Sequence, residues 1–268
     1  MDAVKTAGVE RVPDSTLMGR HQFLIFRLFS LAGLMPVGAY VVIHLMTNAS
    51  VLGGPATFQA QVDRIHSLGM LLPFVEWTFI FLPILFHAAV GFYIISGGLP
   101  NVGSYPYSGN VRYTLQRATG MLAIAFILFH LWQLHYLGKA LGGGAFNAEH
   151  ASSSTAVALN PVLMKIIYII GTLSVVYHLS NGLWTFGITW GIWTSEGAQR
   201  RAGYVCAAFG ILLATVGMGA LYGMSTVNVP QAKVIEDRMQ EAREMLDGQV
   251  AVGMPKAETP ISQPPKKN

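Results

Sequence analysis

Four histidines lie inside long apolar runs: His44 in FLIFRLFSLAGLMPVGAYVVIHLM, His87 in LLPFVEWTFIFLPILFHAAVGFYII, His130 in the run that contains FHLW, and His178 in GTLSVVYHLSNGLWTFGITWGI. An imidazole in such a setting must find a ligand or a polar partner, because no water is there to serve it. Read as a helix, 171–192 puts Gly171, Ser174, Gly182 and Thr185 on the face of His178. That small-sided face suits close helix packing and a flat ligand equally, so one histidine alone decides nothing. Four in four successive runs make a pattern that needs its own account.

The runs themselves supply it. Only 11% of the 268 residues are charged and 52% are apolar, against roughly one quarter charged in a soluble domain. Low-charge stretches at 22–47, 71–97, 113–138, 161–192 and 202–224 each hold enough residues for a bilayer-spanning helix, which takes about 20. The expected fold class is therefore an all-α membrane protein with five transmembrane helices, the first four forming the histidine-bearing bundle. Domain bounds follow as an N-terminal segment 1–20, a membrane domain 21–224 and a charged tail 225–268. Basic residues cluster before the first span (Lys5, Arg11, Arg20), around the second loop (Arg112, Arg117) and in the fourth loop (Arg200, Arg201), whereas the first and third loops offer Arg64 and Lys139. The positive-inside rule then predicts a cytoplasmic N-terminus and, with five spans, a C-terminus outside. The first run is too long for a cleavable signal. The single Cys206 excludes an intrachain disulfide and a cysteine-held iron–sulfur cluster.

Topology converts the histidines into depths. At 1.5 Å per residue, His44 lies ~32 Å of helix from Phe23, and His130 ~27 Å beyond Arg112 on the other outward-running span. His87 lies ~24 Å from Leu71 and His178 ~25 Å from Pro161 on the two inward-running spans. The histidines sort into an outer pair, His44 with His130, and an inner pair, His87 with His178. Two pairs suggest two bis-histidine haems, which leave iron no open position and suit one-electron transfer across the bilayer. Gly91 and Gly182, one turn after His87 and His178, and Gly33 and Gly120, about three turns before His44 and His130, would let a flat group approach. By depth, Arg27, Arg112, Arg117 and His21 are candidate partners of the inner haem's propionates. Glu76, on the span of His87 but towards its outer end, is a candidate proton carrier beside the outer haem. An interfacial Glu76 that simply reaches water is the competing account, and His135 reads as an interfacial residue. A haemless anchor, or a transporter that gathers histidines for a metal or protons, remains open on these residues alone.

Around these sites the chain offers expectations of other kinds. Pro83 should kink the second span near His87. Residues 56–67 read as a surface helix, and the third loop, with Gly142–Gly144 and Ser152–Ser154, as a flexible connection. Residues 230–247 form a charged helical pattern, followed by a Pro- and Lys-rich end, read together as a solvated or partner-facing appendage.

The fragments YHLSNGLWTFGITWG around His178, FLPILFHAAVG around His87, LQRATG with FHLW around His130, and FRLFSLAGLMPVG leading to IHL at His44 resemble the single-chain, five-helix dihaem cytochrome b anchor of succinate:quinone oxidoreductases. The resemblance covers about residues 20–222. It implies a subunit of the bacterial cytoplasmic membrane with two haem b groups, docked on the cytoplasmic side to a flavoprotein and an iron–sulfur protein. It implies distal-haem ligands at His44 and His130, proximal-haem ligands at His87 and His178, and quinone protonation at Glu76. Menaquinone is the implied electron acceptor, and the same wiring run backwards makes a fumarate reductase. The chain departs from the pattern at Phe29, where some relatives carry histidine, and in the tail after Met224.

Overall fold

The computed structural model describes residues 17–98 and 102–253. Among them there is no strand, and five helical segments are long and apolar enough to cross a membrane: Arg20–Gly53, Leu71–Ser96, Ser108–Leu134, Val162–Thr189 and Glu196–Thr226. Large side chains such as Phe23, Ile43, Phe79, Leu128 and Ile211 point outward along these segments. An aqueous surface of that kind would be unstable, whereas hydrocarbon accepts it without cost.

The first span comprises α1 (Leu17–Leu34) and α2 (Val37–Ala49), separated at Met35 and Pro36, where proline has no N–H to give to the helical ladder. After α3 (Pro55–His66), the second span is assembled from α4 (Leu71–Glu76), a wide turn at Trp77–Phe81 and α5 (Leu82–Ser96). The expected proline effect is thus taken up one turn upstream of Pro83, where the Leu82 N–H reaches back to the Trp77 carbonyl in a π-type bond. The remaining elements are α6 (Ser108–Leu134), α7 (Ala151–Leu159), α8 (Val162–Thr189), α9 (Glu196–Thr226) and α10 (Val229–Gly253). Helix α8 is central, packing against α1, α6 and α9. The fifth span, which has no histidine, closes on the bundle through glycines. A methyl at Gly210 would lie 2.8 Å from Ser180 Oγ, and one at Gly217 would lie 2.8 Å from Thr172 Cγ2. Small residues of this kind let membrane helices approach closely.

At one end of the bundle, termed open, the first span starts and the α5–α6 and α8–α9 connections run, and among the described residues no further helix covers it. The other is covered, and here three sequence expectations need correction. The supposed surface helix is α3, which buries Phe58, Gln59 and Val62. The supposed flexible third loop is ordered into short 3-10 turns at Tyr136–Leu141 and Ala148–His150 and then α7, with Ser152, Ser153 and Thr155 buried. The supposed solvated appendage is α10, folded back on α3 and α7. Its Glu236, 1% exposed, accepts hydrogen bonds from the backbone N–H groups of Ser152 and Ser153, at 2.7 and 3.1 Å, and from the Ser153 hydroxyl at 2.6 Å. A carboxylate at the unpaired N–H groups opening α7 is matched both by hydrogen bonding and by the helix dipole. Gln59 ties α3 in by donating to the Ala148 carbonyl and accepting from the Ala151 N–H. His150 meets Asp237 at 2.7 Å, and Arg243 pairs with Asp63. The N-terminal segment as far as residue 16, including Lys5 and Arg11, and the Pro- and Lys-rich end from residue 254 lie outside the described residues.

Candidate functional site

The four membrane histidines meet in two pairs. Near the covered end His44 from α2 and His130 from α6 have ring centroids 5.8 Å apart with planes at 80°. Towards the open end His87 from α5 and His178 from α8 have centroids 6.1 Å apart with planes at 84°. Two imidazoles bound to one metal from opposite sides, with metal–nitrogen bonds of about 2 Å, have centroids roughly 6 Å apart. Both pairs meet that separation.

The second nitrogen of each ring is already engaged. His87 Nδ1 lies 2.9 Å from the Phe29 carbonyl, and His178 Nδ1 lies 3.0 Å from the Gln116 carbonyl. Each carbonyl can only accept, so Nδ1 carries the proton and Nε2 is left with a free lone pair, the tautomer a metal requires. The contact at His178 is reciprocal: the Gln116 amide donates to the His178 carbonyl at 3.1 Å, and Asn181 donates to Gln116 Oε1 at 2.8 Å. At His130 the partner is Tyr168. That hydroxyl donates to Gln133 Oε1 at 2.8 Å, which leaves its oxygen to accept from His130 Nδ1 at 3.2 Å. His44 Nδ1 lies 3.3 Å from the Tyr40 hydroxyl one turn back on α2. A chain in which all four Nδ1 atoms have partners fits bis-histidine ligation of two haems better than it fits helix-to-helix histidine bonds alone, which would use either nitrogen.

Glycine placement differs from the sequence expectation. Gly33 and Gly120 serve not the histidines three turns further along their own spans but those of the other pair. A methyl at Gly33 would overlap the His87 ring, and one at Gly120 would lie 2.8 Å from His178 Cε1. Helical spacing along one chain cannot reveal such a contact, because it depends on which neighbour the helix meets. At Phe29, the departure from the family pattern, the side chain stacks on His87 at 4.3 Å, while the His87 Nδ1 contact goes to the backbone carbonyl, which is independent of the residue type there.

The four candidate propionate partners are not gathered at one point. Arg27 lies over Phe23 and Trp190, at 5.0 and 4.8 Å. Arg112 lies over Trp184 at 4.3 Å, beside the groove between α8 and α9 that Tyr177, Asn181 and Cys206 also line. Arg117 directs its guanidinium at the carbonyls of Ile94, Ile95 and Gly98, tying down the end of α5. His21 is exposed near the start of α1. Glu76 ends α4 at the covered end, with Oε1 3.6 Å from His135 Nε2 and Oε2 buried without a hydrogen-bond partner. His135, read from sequence as interfacial, thus has a specific carboxylate neighbour.

A curated relative, the succinate dehydrogenase cytochrome b558 subunit of Bacillus subtilis (strain 168), is 34% identical over 209 residues, spanning 77% of this chain and 98% of the relative. The chain belongs to the succinate dehydrogenase cytochrome b558 subunit family. No family model matches it. Nearly the whole relative is thus accounted for by about three quarters of this chain, so a cytochrome b558 subunit here carries residues beyond the shared part.

Proposed function

We propose that this cytochrome b558-type subunit anchors a succinate dehydrogenase in the membrane and carries electrons through two haem b groups to menaquinone. His44 and His130 would hold one haem, and His87 and His178 the other. The observation that supports this most directly is the pair of histidine contacts at 5.8 and 6.1 Å, with every Nδ1 engaged. Haem b held by two imidazoles supplies reversible one-electron exchange, with no position left for oxygen.

The protein's own residues do the rest. The Phe29 and Gln116 carbonyls fix the rings of His87 and His178 and raise their basicity as ligands. Tyr168 does the same for His130. The arginines at the open end support a cytoplasmic side for it by the positive-inside rule, and in this reading the flavoprotein and iron–sulfur partners dock there, next to His87 and His178. The covered end with α10 then lies outside, next to His44 and His130. Arg27 and His21 remain partners for the inner propionates, and Arg112 can join them by leaving Trp184, whereas Arg117 is committed to the end of α5. Glu76 donates a proton to quinone near the outer pair. Electron movement from inside to outside is favoured by an inside-negative potential, by about 2.3 kcal/mol per charge per 100 mV. The name of the relative favours succinate oxidation over the reverse reaction.

Haem content and reduced-minus-oxidised spectra of the purified complex test the reading. Two low-spin haems b per copy of this chain are expected. One haem would overturn the pairing, and none would leave a haemless anchor.

A further inference from the structure

We infer that His135 is the positioning residue that reloads Glu76 with protons from the covered end, an inference that rests on the proposed role of Glu76 in protonating quinone. The geometry of the two groups is directional. His135 ends α6 in extended backbone conformation, and its Nδ1 accepts the Leu137 N–H at 3.4 Å. An imidazole that accepts at Nδ1 carries its proton on Nε2 when neutral, and Nε2 is the atom that faces Glu76 Oε1 at 3.6 Å. The ring is held between the edge contact of Phe81, centroids 5.6 Å apart, and Tyr136, centroids 4.3 Å apart.

Glu76 has two differently used oxygens. Oε1 looks to His135, whereas Oε2 is buried and has no hydrogen-bond partner. A buried carboxylate oxygen left unpaired is costly, and a native site that keeps one calls for a purpose such as an incoming donor or a transferable proton. The backbone agrees, since Glu76 immediately precedes the π-type turn at Trp77–Phe81, an irregularity found often at functional sites. Both side chains retain about a fifth of their exposure, His135 20% and Glu76 19%, enough for water to reach the outer member. The other titratable groups around the pair are Tyr40 from α2, which interacts with Glu76, and His130 and Tyr136 on either side of His135 in sequence. Burial holds the His135 pKa below its ordinary value while Glu76 pulls against it. Burial thus favours the neutral ring, which serves as a conduit more than as a fixed cation.

The transfer balances. Reduction of one quinone takes two electrons, supplied from succinate through the chain, and two protons. Each time Glu76 gives its carboxyl proton to a quinone oxygen, it is left as a carboxylate. A proton from the aqueous phase then displaces the long Leu137 N–H contact and binds His135 Nδ1 as the Nε2 proton passes to Glu76 Oε1, leaving neutral histidine and a protonated carboxyl. The ring returns to its Nε2–H tautomer through water, and two such rounds complete the quinol.

The test compares His135→Gln and Glu76→Gln in the complete complex, using succinate-driven reduction of a soluble menaquinone analogue across a pH range. Glutamine keeps an N–H for Glu76 but cannot relay a proton. For His135→Gln we expect kcat to fall about tenfold with KM unchanged, the deficit to widen as pH rises and free imidazole to restore part of the rate. Both haem spectra should be intact. Infrared difference spectra should show the carboxyl C=O band of Glu76, identified by its absence in Glu76→Gln, altered in His135→Gln. If Glu76→Gln is impaired while His135→Gln matches wild type in kcat, pH profile and infrared band, the relay is wrong and the role of Glu76 stands. Unchanged turnover in Glu76→Gln sinks both. Loss of the outer haem spectrum in His135→Gln would make the residue structural and overturn the relay as well.

Discussion

The two histidine pairs use the same side chain, at nearly the same separation, held in different ways. At His87 and His178 the anchors are backbone carbonyls of Phe29 and Gln116, and a glycine, Gly33 or Gly120, is pressed against each ring. A carbonyl in a helix neither titrates nor turns, so these rings can move only if α1 or α6 moves. At His130 and His44 the anchors are the hydroxyls of Tyr168 and Tyr40. Hydroxyls rotate and pass hydrogen bonds onward, as Tyr168 does to Gln133 and Gln133 does to the Ala158 carbonyl. The difference separates a rigid pair towards the open end from an adjustable pair near Glu76 and His135.

The sharpest way to break this contrast is to remove the ligands. His87→Ala and His178→Ala should each abolish the inner haem and leave the outer one, and optical spectra of the purified complex would show it. Next in size is the glycine contact. Gly33→Ala and Gly120→Ala should cost about 1–3 kcal/mol through overpacking and weaken retention of the inner haem while sparing the outer. Equal loss from both sites would mean that the glycines serve the bundle as a whole.

The covered end offers a third, smaller effect. Glu236→Ala removes the acceptor of three hydrogen bonds from Ser152 and Ser153 and should destabilise the α3–α7–α10 layer by about 1–3 kcal/mol, seen as faster protease cleavage within 136–160. Because Ala151, Leu159 and Tyr168 share one apolar cluster with Val51 and Phe58, the outer haem spectrum should broaden and the inner should not change. Smallest is Tyr168→Phe. Losing the acceptor for His130 Nδ1 makes that imidazole a poorer donor to oxidised iron, so the outer potential should rise, by at most about 59 mV if relative ligand affinity changes tenfold. A redox titration monitored optically checks both size and site.

Much of this is legible in the sequence. Apolar run length gives the five spans, and 1.5 Å per residue, combined with the charge bias of the loops, sorts the histidines by depth into the same two pairs whose rings are in contact. What stayed hidden depends on which helix faces which. Gly33 and Gly120 read as spacers on their own helices, and only packing sets them against His87 and His178. The Phe29 and Gln116 acceptors are backbone atoms, which carry no residue signature. The covered end was hidden for a related reason: α10 mixes charges of both signs along its length in sequence, and one fully buried carboxylate, Glu236, is indistinguishable there from its exposed neighbours. Similarly Ser152–Ser154 reads as a flexible tract until Glu236 is seen to receive its N–H groups.

The central claim is that each histidine pair holds its own haem. It is tested most directly by comparing the reduced-minus-oxidised spectra of His178→Ala and His130→Ala complexes at matched protein concentration. The account predicts that each variant retains one haem per chain, that the retained components differ in band position and potential, and that together they reproduce the wild-type spectrum. Loss of the same component in both variants would contradict it.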